Sequence, residues 1–573
     1  MSNLYHATAS QDGLTVAAYR GDGSALLGFS VDEHGAQGLA GFAIQLTAPS
    51  QQPVWLKNRL NFSDAITQAT TPQERQGIWT DSNQAPFQRF RWQHFVPQVV
   101  DGDYVYDVTA MYFSGSGLKP GSTASLSLPL SSPSLGGNVQ IGFTRSYVSS
   151  QAYAEKFGEK PLRQMPKTLQ FSTGPYAEQY EFLGYTARKM IFQFLNECLQ
   201  DDQISLDVFA YDFDEPDILA CLQKMGSRLR FYLDDAPLHT ASTALEPQAK
   251  KLLAQSAGET HVKTGHFRRF AHNKVFIQKK GGKTVKVLTG SANFSIRGLY
   301  VQANNVLVFT NPQMAGLYQQ AFDQAWNDPK PNAPGFAASP VAGGWFDVAC
   351  QDLPPISFCF SPHKDGNVSL SRVLDALNAA RSSVMFAIME LGGGGDVLSK
   401  LSSMATQSQL FSYGVTQHLS ADMQKDLGVS VHGPSRSSQA APHGVLVPFA
   451  YLHKQVPQPF RQEISGGQGQ VIHNKFIVVD FNDSNPVVFT GSSNLADGGE
   501  ECNGDNLIEI RDPQIATLYG VEAARLVEHF GFRAAMQGAT AKAPLRLDTT
   551  DGWCRPYYDS NSLRYTERLL FVK

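Results

Sequence analysis

Two stretches of this sequence place the same reactive side chains at the same spacing. His272-Asn273-Lys274 opens an apolar, β-branched run and is followed by Gly290-Ser291-Ala292-Asn293. A further 201 residues on, His473-Asn474-Lys475 opens a similar run and is followed by Gly491-Ser492-Ser493-Asn494. The match runs without a gap from His272 to Tyr318 and from His473 to Tyr519, taking in QANNVLVF and PQMAGLY in the first copy and NGDNLIEI and PQIATLY in the second. A duplicated supersecondary unit commonly packs against its twin, which brings equivalent residues face to face. Within each copy His and Lys alternate, so both project from one face of an extended segment. The copies together supply two imidazoles, two ammonium groups, two hydroxyls and two amides around one point.

That set suits a phosphodiester. Lys, Ser and Asn donors would bind the non-bridging oxygens, one imidazole would attack phosphorus, and the other would protonate the departing oxygen. This chemistry requires no metal. A single HxK on a strand reads better as chance or a solvated edge; its occurrence in both copies, each with GSxN at matching distance, carries the catalytic reading.

These residues resemble the signature of the phospholipase D superfamily, HxKxxxxD followed by GSxN and NxEN, over roughly the last two thirds of the chain. The resemblance implies an α/β fold of two duplicated halves, mixed sheets flanked by helices and related by a pseudo-twofold axis. It also implies a metal-independent phosphodiesterase with a phosphohistidine intermediate and no cofactor. The superfamily contains lipases, nucleases and phosphatidyl transferases, and fold alone does not choose among them.

The two copies depart from the signature unequally. In the second, Asp480 fills the Asp position and Asn503-Gly504-Asp505-Asn506 is NxEN with Asp for Glu; in the first, those places hold Lys279 and the neutral Asn304 of Gln302-Ala303-Asn304-Asn305. A carboxylate beside an imidazole favours imidazolium, whereas an amide leaves the ring nearer neutral. The expectation is therefore that His473, backed by Asp505, rests protonated as the general acid, and that His272, backed by Asn304, is the nucleophile. In the family the first-half His is usually the nucleophile, and a similar neutral partner is seen in tyrosyl-DNA phosphodiesterases.

Elements that could position these groups follow from pattern. Up to about Arg145, short alternating segments such as Phe42/Ile44/Leu46 and Tyr104/Tyr106/Val108, with Ala124 to Leu130 and Val139 to Phe143, read as strands of an all-β sandwich of immunoglobulin or fibronectin type over residues 1–150. Leu183, Ala187, Met190, Ile191, Phe194, Leu195 and Cys198 then share a helical face. They open a first half at 160–330, with strands at Ile204 to Tyr211 and Leu229 to Leu233 and helices at Pro216 to Met225 and Pro312 to Trp326. The Pro-, Gly- and Ala-rich stretch at 331–348 reads as a linker. The second half, 349–573, repeats the order with a helix near Leu370 to Ala380, a strand from Ser383 to Met389 and a helix from Gln514 to Phe530. Ahead of His473, Gly433 to Gly469 holds the apolar stretch HGVLVPFAYLH, read either as a buried hairpin or as a lip touching a lipid surface. The aromatic tail from Ala543, with Trp553, Tyr557, Tyr558 and Tyr565, either covers the core or lines the cleft.

Composition narrows the partners. With 47 basic and 51 acidic side chains the chain has no global attraction for polyanions, and the cluster His266-Phe267-Arg268-Arg269 reads as a phosphate-steering patch or a solvated face. Six cysteines show no CxxC pairing, and His239, His261, His418, His432, His443 and His453 form no recognisable metal set. The start has no basic segment followed by an apolar one and no run reaches the length of a membrane span, so cytoplasmic location is the default expectation, with signal-independent export as the alternative. A phospholipid or membrane surface ranks first as partner and nucleic acid second. A third reading is a catalytically degenerate phosphate-binding scaffold. The internal duplication lets a monomer hold a complete site.

Overall fold

The computed structural model describes residues 5–573 except 68–69, 71–77, 116, 132–136, 159, 163–165, 329, 331, 352, 392, 405–409, 419–443 and 449–470. The runs that follow the two His-Asn-Lys segments, Val275–Lys280 and Phe476–Val479, each lie inside a large mixed sheet. The first sheet has the order Val139–Phe143, Asn305–Phe309, Lys283–Gly290, Val275–Lys280, Ile204–Ala210, Leu229–Asp234, Val262–Gly265. The second runs Phe346–Val348, Ile356–Phe360, Asn506–Ile510, Val487–Gly491, Phe476–Val479, Ser383–Glu390, Phe411–His418, Gly444–Pro448. Apart from the extra edge strand Phe346–Val348, the two orders correspond strand for strand.

In both sheets the last three strands pair in parallel and the others antiparallel. Parallel strands are covered on both faces, and Ile204–Ala210 and Leu229–Asp234 are buried along almost their whole length, with the polar Asp207 and Arg230 paired to each other at 2.5 Å. Helix Pro216–Met225 connects them. Pro216 sits in its first turn, and the Glu215 carboxylate accepts from the Ile218 N–H at 2.6 Å as its N-cap. The helix Ala177–Gln200 buries the predicted apolar face, and Pro312–Trp326 has the predicted limits.

The two halves share a core. Tyr318 of the first packs on Phe358 and Phe360 of the second, at ring separations of 5.6 and 5.0 Å, while Tyr519 of the second packs on Phe143 of the first at 5.2 Å. These contacts hold the halves as one body related by the pseudo-twofold axis.

Two assignments change. Val139–Phe143 is not part of the N-terminal sandwich; it pairs antiparallel with Asn305–Phe309 and is the first-sheet counterpart of Ile356–Phe360, which pairs with Asn506–Ile510. An apolar strand whose neighbour in the first sheet has an open edge gains more by pairing there. The stretch expected to be a linker is packed rather than free: Phe336 is buried with its ring 5.1 Å from that of Phe267, and Phe346–Val348 joins the second sheet.

The sandwich itself consists of two four-stranded antiparallel sheets. One has the order His6–Gln11, Leu14–Gly21, Ser24–Ser30, Arg91–Phe95; the other has Gly117–Leu130, Gly102–Ser114, Leu39–Thr47, Val54–Trp55. Phe42, Ile44, Leu46, Tyr104, Tyr106 and Val108 meet in the core between them, as their alternation predicts. Of the chain's last residues, Cys554 and Tyr557 complete this core, and the Trp553 indole N–H donates to the Leu39 carbonyl at 3.0 Å. The tail therefore covers the sandwich. Of the apolar stretch before His473, Gly444–Pro448 is a strand pairing with Phe411–His418; 433–443 and 449–469 lie outside the described residues.

Candidate active site

His272 and Lys274 lie in extended chain just ahead of Val275–Lys280, and His473 and Lys475 just ahead of Phe476–Val479. Each of these segments is laid against the other half. The Ala303 N–H donates to the Val471 carbonyl at 2.7 Å and the His473 N–H to the Ala303 carbonyl at 3.1 Å. In the symmetric place, the Gly504 N–H donates to the Phe270 carbonyl at 2.8 Å, and beside it, without a counterpart in the first pair, the Arg269 N–H donates to the Cys502 carbonyl at 2.9 Å. The exchange of backbone bonds puts each histidine next to the residue at the acid position of the opposite copy.

The imidazole partners are therefore crossed relative to the sequence expectation. Nδ1 of His272 meets Asp505 Oδ1 at 2.7 Å, and Nδ1 of His473 meets Asn304 Oδ1 at 2.9 Å and the Ser291 carbonyl at 3.1 Å. His272, not His473, is backed by the carboxylate. Both rings are buried, with centroids 6.5 Å apart. With both Nδ1 atoms engaged, the two Nε2 atoms are the ones left for chemistry.

Burial dominates the electrostatics of the site. Burial, reinforced by Lys274 and Lys475, holds His272 below the ordinary histidine value even though Asp505 pulls it upward. Burial, with Lys475, Lys274 and His272, holds His473 well below it. Burial also lowers Lys274 to about 7, against the pull of Asp505, Asp212 and Asp234, and drives Lys475 far down. Asp505 is lowered, because His272 and Lys274 outweigh its burial. An anionic group entering between the lysines would favour the protonated forms that burial disfavours in the free site.

The serines have a different task from the one expected. Ser291 Oγ donates to Asn304 Oδ1 at 2.8 Å and accepts from the Asn305 N–H at 3.0 Å; Ser492 Oγ accepts from the Asn506 N–H at 3.0 Å. Both hold the partners of the imidazoles in place. The preceding glycines permit this closeness: Gly290 (φ +139°) and Gly491 (φ +137°) would carry a Cβ 2.4 Å from the Asn305 carbonyl oxygen and 2.3 Å from that of Asn506. Asn293 remains available for phosphate, with one amide N–H donated to Asp212 at 2.6 Å and a buried Oδ1 that has no partner among the described residues; Asn494 Oδ1 is likewise buried and without a partner among them.

Asp480 stands at the far end of Phe476–Val479. Its Oδ1 accepts from the N–H groups of Arg381 and Ser382, both at 2.8 Å, so it fastens the turn before Ser383–Glu390 and takes no part in the catalytic cluster. Lys279, in the equivalent place, is paired with Asp207 at 2.5 Å rather than directed to solvent. Of the basic cluster, His266 pairs with Asp235 at 2.6 Å, Phe267 is buried, and Arg269 donates to Asn503 Oδ1 at 2.9 Å. Arg268 and Arg269 are the exposed members.

Several residues were missed by the motif reading. The Thr144 hydroxyl donates to the Gln302 carbonyl at 2.8 Å and accepts from the Asn304 N–H at 3.0 Å; Ser361 does the same for the Asn503 carbonyl and the Asp505 N–H, at 2.9 and 3.2 Å. These hydroxyls fix the backbone that carries Asn304 and Asp505. Asn305 Nδ2 crosses to Thr490 Oγ1 at 2.7 Å and Tyr519 OH at 2.6 Å, while Asn506 Oδ1 accepts from Thr289 Oγ1 at 3.3 Å and Tyr318 OH at 3.2 Å. All six of these side chains occupy matching places in the repeat, which was the available signal.

A further cluster adjoins the first half. Asp212, His239 and Glu246 each offer one atom, all within 4.8 Å of one another. The His239 nitrogens, however, bond Asp212 at 2.8 Å and Asp234 at 2.7 Å, and those carboxylates outweigh burial to raise the ring to about 10. An imidazolium has no lone pair for a metal, so the cluster is an ion-pair network at neutral pH.

The family described as "Cardiolipin synthase, PLD-like domain" matches residues 193–326 and 437–527. No curated protein matches the sequence. Among solved structures, phosphatidylserine synthase of Haemophilus influenzae Rd KW20 is similar at 13% identity and a TM-score of 0.39, over 60% of this chain and 85% of that one. Nuc of Salmonella typhimurium, a phospholipase D family member, is similar at 22% identity and 0.20, over 23% and 85%. Polyphosphate kinase of Porphyromonas gingivalis is similar at 11% identity and 0.36, and the chain spans about half of its length (58% of this chain, 47% of that one).

Proposed function

The chain is a member of the phospholipase D superfamily, a superfamily of phosphodiesterases, and we propose that it cleaves phospholipids to phosphatidic acid and a head-group alcohol through a phosphohistidine intermediate. The observation that carries the catalytic part is the pair of buried imidazoles 6.5 Å apart, each with Nδ1 engaged and Nε2 without a partner among the described residues, between two lysines.

In this mechanism the phosphodiester lies between the rings, its non-bridging oxygens met by Lys274, Lys475, Asn293 and Asn494. Asp505 keeps the proton of His272 on Nδ1, which leaves the Nε2 lone pair to attack phosphorus. As the N–P bond forms, the ring gains positive charge, and Asp505 compensates it. His473 gives its Nε2 proton to the departing alkoxide as the P–O bond breaks. The bound anion raises the proton affinity of His473 by offsetting Lys475 and Lys274. Neutral His473 then takes a proton from water, which attacks phosphorus and releases His272; a primary alcohol in place of water gives transphosphatidylation. In this reading the nucleophile is His272 because of the carboxylate behind it, rather than for want of one.

The phospholipid reading is supported by the slight net negative charge, −4, and by the apolar residues preceding His473. A nuclease or nucleic-acid-end phosphodiesterase is the second reading, supported by exposed Arg268 beside the Arg269–Asn503 contact. The test is a parallel assay of wild type and His473→Ala, in EDTA, on mixed phospholipid vesicles and on single- and double-stranded DNA and RNA. Phosphatidic acid released by wild type alone is the expected result. Cleavage of nucleic acid alone replaces the lipid reading, and turnover of neither returns the scaffold.

A further inference from the structure

The first half contains a charged chain that the mechanism above does not use. Asp234, at the end of Leu229–Asp234, accepts from the Ala271 N–H through Oδ2 and from His239 Nδ1 through Oδ1 at 2.7 Å. His239 Nε2 donates to Asp212 Oδ1 at 2.8 Å, and Asp212 Oδ2 accepts from Asn293 Nδ2 at 2.6 Å. One end of the chain therefore holds the backbone immediately before His272, and the other holds the amide of Asn293. His239 and Asp234 are buried, and the Tyr211 ring stands edge-on to both imidazoles, 4.4 Å from His239 and 4.7 Å from His272.

We propose that Asp234, His239 and Asp212 form a positioning relay that dictates which side of the Asn293 amide meets the substrate phosphate and keeps that amide in register with the His272 segment. The proposal rests on the phosphodiesterase reading of the site.

The physical reason is the symmetry of a carboxamide. Its NH2 and carbonyl ends have nearly the same shape, so only the hydrogen-bond network decides which points where. An ionised carboxylate can only accept. Asp212 therefore forces the NH2 end of Asn293 toward itself, leaving the second N–H for an anion and turning Oδ1 aside, where it is buried and has no partner among the described residues. With the amide reversed, Oδ1 would face the carboxylate and a carbonyl lone pair would face the phosphate; both contacts are repulsive.

The relay works only while Asp212 is charged. Asp212 is held below the ordinary carboxylate value, as His239, followed by Arg297 and Lys274, outweighs burial. His239 in turn is faced by Asp212 from the loop after Ile204–Ala210, by Asp234 from the next strand and by Glu246 from helix Glu246–Ala257. A buried charge is tolerable when its partners are this complete.

The test combines three measurements on the full chain. The first is kcat/KM on bis(4-nitrophenyl) phosphate, with inorganic phosphate affinity by titration calorimetry, for wild type, Asp212→Asn, His239→Gln, Asn293→Ala and Asp212→Asn/Asn293→Ala. Asp212→Asn and His239→Gln should each lose roughly 10- to 100-fold in kcat/KM and bind phosphate more weakly. Asp212→Asn should cost less than about twofold when Asn293 is already Ala, because the relay acts through that amide. The second is 15N NMR of histidine-labelled protein, with the His239 signal identified by its absence in His239→Gln. Both ring nitrogens should stay protonated at pH 8. The third is thermal unfolding, which separates loss of the relay from loss of the fold.

Additive losses in the double variant, a neutral His239 at pH 8, or wild-type phosphate affinity in folded Asp212→Asn would overturn the relay. If wild type turns over no phosphodiester, the phosphodiesterase reading falls, while phosphate titration and the NMR signature still decide the relay.

Discussion

Asp505 and Asn304 hold equivalent positions in the two halves, yet one is charged and the other neutral, and this difference separates the roles of two otherwise matched imidazoles. Asp505 favours the protonated form of His272, and burial with the neighbouring lysines opposes it with the larger effect, so the free ring is neutral near pH 7. The acid limb of kcat/KM reports protonation of this nucleophile in the free enzyme. It should lie below pH 6.5, the ordinary histidine value. Asp505→Asn removes an influence that raises the His272 pKa, so the limb should move to lower pH while the rate falls about 10²- to 10⁴-fold. A limb that stays in place, or moves upward, contradicts the assignment. Residue types at the site were legible from the repeat: His272, Lys274, Asn293 and their counterparts are where their spacing suggested. Partnership was not, because a repeat at fixed spacing says which residues are equivalent without saying that each ring meets the other copy's acid. Asp480 was misread for a related reason: five residues beyond Lys475 on an extended chain lie too far from the catalytic end.

Strands and helices carry the site through contacts that cross the pseudo-twofold axis. Asn506 is the clearest, since its Oδ1 accepts from Thr289 and Tyr318 and its Nδ2 donates to Asn273 Oδ1 at 2.7 Å. Asn506→Ala leaves these buried groups unsatisfied and should cost about 1–3 kcal/mol of stability by denaturant unfolding. Combined with Tyr318→Phe, the two losses should be less than additive, since they share one hydrogen bond; strict additivity would contradict the contact. Most elements were legible, Pro216–Met225 to the residue, because Pro starts and apolar periodicity are local signals. Val139–Phe143 escaped because its twin Ile356–Phe360 lies at a different separation from the 201-residue repeat of the motifs, so no ungapped alignment joins them. With it went Thr144 and Ser361, whose hydroxyls hold the Asn304 and Asp505 backbones.

As a whole molecule, the sandwich is locked to the catalytic body. Asp22, in a tight turn of the sandwich, accepts from the Phe143 N–H and the Thr186 hydroxyl, both at 2.9 Å. Arg91, buried, pairs with Glu528 at 2.6 Å and also bonds Glu567 and Tyr413, joining the sandwich to the second half and to the C-terminal helix Leu563–Leu570. Removing one partner of a buried pair leaves the others uncompensated, so Arg91→Ala should lower stability by about 3–5 kcal/mol. Calorimetry should show one transition moving down; a separate early transition for the sandwich would contradict a locked body. The N-terminal strands were legible as a sandwich from their alternation, but not their docking, which depends on single buried charges that carry no periodic signal. The tail showed its aromatic content in sequence, and only the fold shows that Trp553 and Tyr557 close the sandwich rather than the cleft.

The central claim is that His272, held by Asp505, carries the phosphoryl group and that His473 serves the leaving group and the water. It is tested most directly by mixing His473→Gln with a 32P-labelled phosphodiester bearing a 4-nitrophenyl leaving group, quenching in alkali and mapping the label. The good leaving group makes the acid dispensable for the first step, and the missing base stalls the second. The account predicts label on the peptide containing His272 and none in His272→Gln. Label retained by His272→Gln, or found on His473 in wild type, would contradict it.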